Sequence, residues 1–177
     1  MARMAGRKAM TDLSPHIDLS VDAEGWREAV PGLETVISVA ATAAMDAARP
    51  EMGDAEVSVL LTNDERMTEL NENWRGKPGS TNVLSFPGEL DGPGPVLLGD
   101  IAVAIETVTD EAQDARISVS DHLSHLIVHG TLHLLGYDHE TDPEAETMER
   151  METDILASLG IADPYASGQR QVTEVTP

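Results

Sequence analysis

The sequence predicts one domain built on a single mixed sheet with a buried helix packed on it. Three observations lead there. Strand-like segments alternate with helical ones along the first two thirds of the chain, and helices finish it. The stretch from Ser118 to about Leu135 is apolar on most sides, which places a helix in the middle of a domain. A chain of 177 residues without internal repeats suits one compact unit with loose ends. We place that unit at residues 15–163, between a flexible N-terminal segment, 1–14, and a flexible tail, 164–177.

The elements follow in order. HIDLSVD (16–22) alternates enough to be a first strand. Trp26 to about Arg49 reads as a helix, with Pro31 tolerated in its first turn and small residues along one face. EVSVLLT (56–62) is a strand, ended by Asn63 and Asp64, one of which caps the helix ERMTELNENW. RGKPGS is a loop by its Gly and Pro content. TNVLSFP (81–87) is a short strand closed by Pro87, and GELDGPGPVLLG (88–99) a surface loop. DIAVAIE (100–106) is a strand, and TVTDEAQDAR a helix with Thr107 or Thr109 near its N-cap. After the central helix, Asp142-Pro143 opens a last helix that Gly160 stops.

Composition narrows the setting. There is no Cys, so disulfides and thiolate ligands are excluded, and a reducing, cytoplasmic location fits. The basic start, MARMAGRKAM, is followed by no apolar region, so we do not read it as a secretory signal. The most apolar long stretch, VISVAATAAM, is too short to span a bilayer, so no membrane partner is expected. A net charge of −21 argues against non-specific affinity for nucleic acid. Residues 73–88 and 122–137, however, contain no Asp or Glu. Together they hold Arg75, Lys77, Trp74, Phe86 and Tyr137, while acids crowd into ETDPEAETMERMETD (140–154). Two readings stand: a core beside a solvated acidic helix, or an acid-depleted cleft in an acidic shell.

The chemistry concentrates in HGTLHLLGYDH (129–139). His129 and His133 are four apart on the central helix and project from one face. Gly136 permits the left-handed turn that would bring His139 back to them. Three imidazoles leave a fourth position open for water, the pattern of a catalytic zinc. Such an ion lowers the pKa of bound water to about 7. Three unrelated histidines are the plainer alternative, which the spacing and the glycine disfavour. His122 and His125 fall near the same face and are expected to line the cleft or to be satisfied in the core. Asp138 either orients a ligand imidazole or serves the turn. Metzincin-type zinc peptidases share the histidine spacing but carry Glu directly after the first His, where this chain has Gly130. Without that base, protonation of an amine leaving group suffers. Phosphodiester cleavage needs charge neutralisation instead, which a metal and a guanidinium supply, and Arg75 is the candidate guanidinium.

HGTLHLLGYDH, preceded by LNENWRGKPGSTNVLSFPG and LLGDIAV, resembles the bacterial YbeY family of endoribonucleases and rRNA maturation factors. The match in order and spacing runs from about Glu56 to Leu159. The resemblance implies one Zn2+ per chain, held by His129, His133 and His139, with Arg75 functionally important in the cleft beside it. It implies an α+β fold: three parallel strands and one antiparallel (TNVLSFP), helices around them, and a central helix carrying the first two ligands. It implies hydrolysis of single-stranded RNA, with roles in 16S rRNA 3′-end maturation and ribosome quality control. Implied partners are ribosomal RNA, small ribosomal subunit proteins and an Era-type GTPase. The family often has Asp where this chain has Asn82, which keeps the shape and the acceptor oxygen. Two alternatives remain: a ribosome-assembly binding factor with a structural zinc, and a zinc peptidase lacking the usual base.

Overall fold

A computed structural model of the chain describes residues 15–51, 55–88 and 96–166. The expected N-terminal segment, most of the loop after Gly88 and the tail beyond Ala166 lie outside the described residues. Strands β1 (His16–Val21), β2 (Ala55–Thr62), β3 (Val83–Pro87) and β4 (Val96–Ala104) form one sheet in the order β1-β2-β4-β3. β1, β2 and β4 run parallel, and β3 pairs antiparallel with β4 at the edge. Six helices complete the described α+β domain: α1 (Gly25–Ala29), α2 (Leu33–Ala48), α3 (Asp64–Arg75), α4 (Ile105–Ala115), α5 (Val119–Leu134) and α6 (Asp142–Ser158). None of them is long and apolar enough to cross a membrane.

Alternation along the strands divides the core into two layers. On one face Val57, Val59, Leu61, Ile101 and Val103 pack with α2 and α5. The buried alanines of α2, Ala40, Ala41 and Ala44, let α5 come close. On the other face Met67 of α3 meets Leu84, Ala102 and Ala104, with Leu70 and Phe86 beside them. α5 is buried along almost its whole length, as its apolar sequence predicts. Each of Leu123, Leu126, Ile127 and Leu132, fully buried, contributes roughly 1.5–3 kcal/mol through the loss of apolar surface from water.

Three local expectations are corrected. Trp26 to Arg49 is not one helix. Pro31 drives Val30 into extended backbone (φ −125°, ψ 95°), Gly32 takes a left-handed φ of +70°, and α2 starts afresh at Leu33. β4 begins at Val96, inside the expected loop, and ends at Ala104 rather than Glu106. A bulge pairs Val57 with Gly99 and leaves Leu98 unmatched, fully buried in the core. Gly99 has φ +132°, and a Cβ there would strike the Phe86 carbonyl, so its place in the strand is reserved for glycine. α4 starts at Ile105, and neither threonine caps it with its own side chain. Asp64, at the start of α3, instead accepts from the Thr107 hydroxyl at 2.7 Å.

Candidate metal centre

The centre is built on the C-terminal half of α5 and the turn that follows. Ser118 caps α5 by accepting from the Asp121 amide at 3.0 Å. At the other end Gly136 takes φ +93°, its amide donates to the His133 carbonyl, and the Tyr137 amide donates to the Leu132 carbonyl. These bonds satisfy the last carbonyls and turn the chain back on itself. His139 therefore returns to the helix. Its ring centroid lies 5.0 Å from that of His133 and 5.6 Å from that of His129. His129, His133 and His139 each offer a nitrogen within 4.8 Å of the others.

The nitrogens are arranged for a cation. The Nε2 atoms of His129 and His133 face each other at 3.0 Å. The Nδ1 of His129 lies 2.5 Å from Oε1 of Glu152. That contact assigns the His129 proton to Nδ1 and leaves the Nε2 lone pair pointing at the other two rings. The Nε2 of His139 is buried without a hydrogen-bond partner. Burial pushes the pKa of His133 down to about 3, and the nearby His129 and His139 rings add to the effect. Burial likewise lowers His129, against the pull of Glu152. Both rings are thus neutral near pH 7, the form that donates to a metal. Three imidazoles, one of them with an orphaned nitrogen, and a carboxylate behind one ring fit a divalent metal ion.

Glu152 was not legible as a site residue. It belongs to the acidic run expected to be a solvated helix, yet it is fully buried. A signal was available: on α6 it falls in the apolar row with Ala145, Met148, Ile155 and Leu156. Its other oxygen lies 3.2 Å from Nε2 of His125 and also accepts from the Tyr165 hydroxyl. Burial alone would raise the Glu152 pKa. The hydrogen bonds from His125 and His129 overcome that and hold it well below the usual carboxylate range. Burial and the adjacent Glu152 charge push the Tyr165 hydroxyl up, so it stays a donor. His125, His129 and Glu152 also lie within ligand distance of one another, but the hydrogen bonds to Glu152 account for that grouping. Tyr165, two residues past the expected domain end, makes this contact with Glu152.

The remaining site residues sort clearly. His122 is buried in the core, its Nε2 2.7 Å from Glu111 and its Nδ1 without a hydrogen-bond partner. Asn82 accepts from the Val83 amide and donates its own amide to both Glu111 oxygens, at 3.0 and 3.1 Å. An ionised Asp could keep the first bond but not the second. Asp138 is exposed and accepts from the His139 amide, so it serves the turn. Gly130 sits where α5 crosses the sheet. A Cβ there would lie 3.0 Å from Ile101 Cδ1 and from Ser85 Oγ. The position that carries a general base in the peptidase pattern is closed by packing. Arg75 is the last residue of α3, half-buried, on the helix that covers the opposite face of the sheet near the β3 edge.

Comparison with known proteins identifies the family. The family model described as Endoribonuclease YbeY matches residues 23–160. A Bradyrhizobium sp. protein named Endoribonuclease YbeY is 49% identical over 162 residues, covering 88% of this chain and 95% of its own. A Nitrobacter winogradskyi protein of the same name is 49% identical over 178 residues, covering 96% and 93%. The solution structure of a Thermotoga maritima protein superposes with a TM-score of 0.53 at 23% identity, covering 89% of this chain and 99% of that one, and supports the fold. On this similarity, which spans most of the described domain, the chain belongs to the YbeY endoribonuclease family.

Proposed function

We propose that the chain is a zinc-dependent endoribonuclease acting on single-stranded RNA, in 16S rRNA 3′-end maturation and ribosome quality control in the cytoplasm. The observation that carries the reading is the convergence of His129, His133 and His139 beside a closed Gly130. Three neutral imidazoles would hold one zinc ion. When bound, it would supply Lewis-acid charge stabilisation and a water made acidic enough to ionise near neutral pH.

The chain's own residues do the rest. Glu152 holds the His129 proton on Nδ1 and fixes the ring's orientation. Tyr165 and His125 in turn hold Glu152. Gly130 offers no carboxylate to protonate a leaving amine, which disfavours the peptidase reading. A ribose oxygen leaves more readily than an amine, and the charge to be neutralised lies on phosphate oxygens. We assign that neutralisation to Arg75, whose guanidinium suits phosphate by shape and charge. Ribosomal RNA, small-subunit proteins and an Era-type GTPase are the partners this reading carries from the family resemblance.

The test compares zinc-loaded wild type with Arg75→Ala on a short single-stranded RNA, with zinc content measured on both. The reading expects equal zinc and a loss of cleavage of about 10²–10³-fold, the range for removing one charge-stabilising donor. Unchanged cleavage would remove Arg75 from the mechanism. No cleavage by either protein, with altered ribosome binding in the variant, would favour the assembly-factor reading.

A further inference from the structure

A −21 chain that acts on RNA needs a local feature that tolerates a polyanion, and the described surface offers one. Trp74 is 69% exposed, the largest hydrophobic side chain on that surface. An indole combines a large apolar face with a polar N–H, which is why tryptophan is enriched at binding surfaces. Here the ring is held. Phe86 of β3 meets it edge-on, with centroids 5.9 Å apart and planes at 63°. This contact fixes the indole and leaves most of it to solvent.

The surroundings select the occupant. The acids of α3 (Asp64, Glu65, Glu69, Glu72) stop one turn short of its end. Trp74 is the second residue of the acid-free stretch that follows, with Arg75 next in sequence and Lys77 after the left-handed Gly76. The ring is followed in sequence by two cations, and an exposed carboxylate, Asp100, lies across the strand from its brace, Phe86. The ring and the cations are complementary to a group that is flat, apolar and attached to negative charge. An unpaired base on a phosphodiester backbone has that chemistry. The position also fits. β3 is an edge of the sheet, and Ser85, next to Phe86, packs near Gly130 on the opposite face. The thickness of one edge strand separates Trp74 from the helix that carries His129.

We propose that Trp74, braced by Phe86, is a stacking platform for an unpaired base of single-stranded RNA, placed to hold the strand over the β3 edge. The inference rests on the endoribonuclease reading and adds to it the residue that grips the base. Stacking is sequence-tolerant, because every base has a π-face.

The chain provides its own reporter. It has two tryptophans, and Trp26 is fully buried with its Nε1 donating to the Thr62 carbonyl. Quenching of tryptophan emission by a ligand therefore reads Trp74. Zinc-loaded protein is titrated with a 2′-O-methyl oligoribonucleotide, which keeps bases and charge, and with an abasic oligomer of the same length. Binding is followed in parallel by anisotropy of a labelled strand. The expected result is saturable quenching by the base-bearing strand and none by the abasic one. Trp74→Ala should weaken binding of the base-bearing strand about ten-fold, while Trp74→Phe, which keeps a π-face, recovers most of it. The melting temperature of both variants should match wild type, since the side chain is exposed. Binding of the base-bearing strand that leaves emission unmoved, or that survives Trp74→Ala undiminished, overturns the platform and leaves a protein partner as the occupant. Failure of every strand to bind overturns the platform together with the RNA reading beneath it.

Discussion

Replacing Glu152 with Gln tests whether the buried carboxylate organises the metal centre. The carboxylate serves three groups: His129 Nδ1 at 2.5 Å, His125 Nε2 at 3.2 Å and the Tyr165 hydroxyl. An amide of the same shape has one acceptor oxygen and turns an N–H pair toward a donor. One or two of the three bonds are therefore lost, and the remaining one loses its charge assistance. Each buried group left unpaired costs about 1–3 kcal/mol, so Glu152→Gln should lower stability by about 2–4 kcal/mol. It should also free the His129 ring to change tautomer, which weakens zinc binding about 10–100-fold, the usual effect of removing a carboxylate behind a ligand histidine. The assay is zinc competition with a chromophoric chelator, run beside thermal melts with and without zinc. Glu146→Gln, exposed on the same helix, is the control and should change neither. Wild-type zinc affinity in Glu152→Gln, once the protein is shown to be folded, would refute the claim that this carboxylate orients the centre.

Three further outcomes are expected. Gly130→Glu should fail to create a peptidase and should unfold or strongly destabilise the domain, because even its Cβ meets Ile101 and Ser85 at 3.0 Å and a buried charge follows; a cooperative melt at the wild-type temperature would contradict this. Asn82→Asp should destabilise the fold by about 1–3 kcal/mol near neutral pH, since it replaces a donor 3.0 Å from Glu111 with a like charge, and the loss should shrink as pH falls toward carboxylate protonation; an unchanged denaturant midpoint at pH 7 would count against it. Metal-free protein should lose stability as pH drops from about 6.5 toward about 3, the interval between the ordinary value and that of folded His133. In that window the unfolded chain binds a proton that the buried ring refuses, so the unfolded state gains; in denaturant titrations the stability difference between wild type and His133→Asn should vary with pH inside the window and become constant above it.

The sequence was most informative where local chemistry dominates. Four strands, the central helix and the three converging histidines follow from period, capping and glycine placement. Two features depend on partners far along the chain and had weaker local marks. The start of α4 is fixed by Asp64, 43 residues away from Thr107, which no reading of the helix alone would find. Glu152 lies in a run of acids whose average reads as solvent-facing, and only its place in the apolar row of α6 distinguishes it. The break at Pro31-Gly32 has no unambiguous mark in the sequence, since Pro31 by itself is compatible with a first helical turn. The left-handed glycine after it makes continuation of one helix impossible. β4 reaches back into a Gly- and Pro-rich segment because its parallel partner, β2, offers a full edge there and Leu98 gains burial.

The central claim is that the three-histidine centre cleaves RNA. The most direct measurement is cleavage of a short single-stranded RNA by zinc-loaded protein, with His133→Ala run beside it at equal concentration. Cleavage by the wild type and loss of it in the variant, together with loss of zinc, is the expected result. Equal cleavage by both proteins, or cleavage by neither, would contradict it.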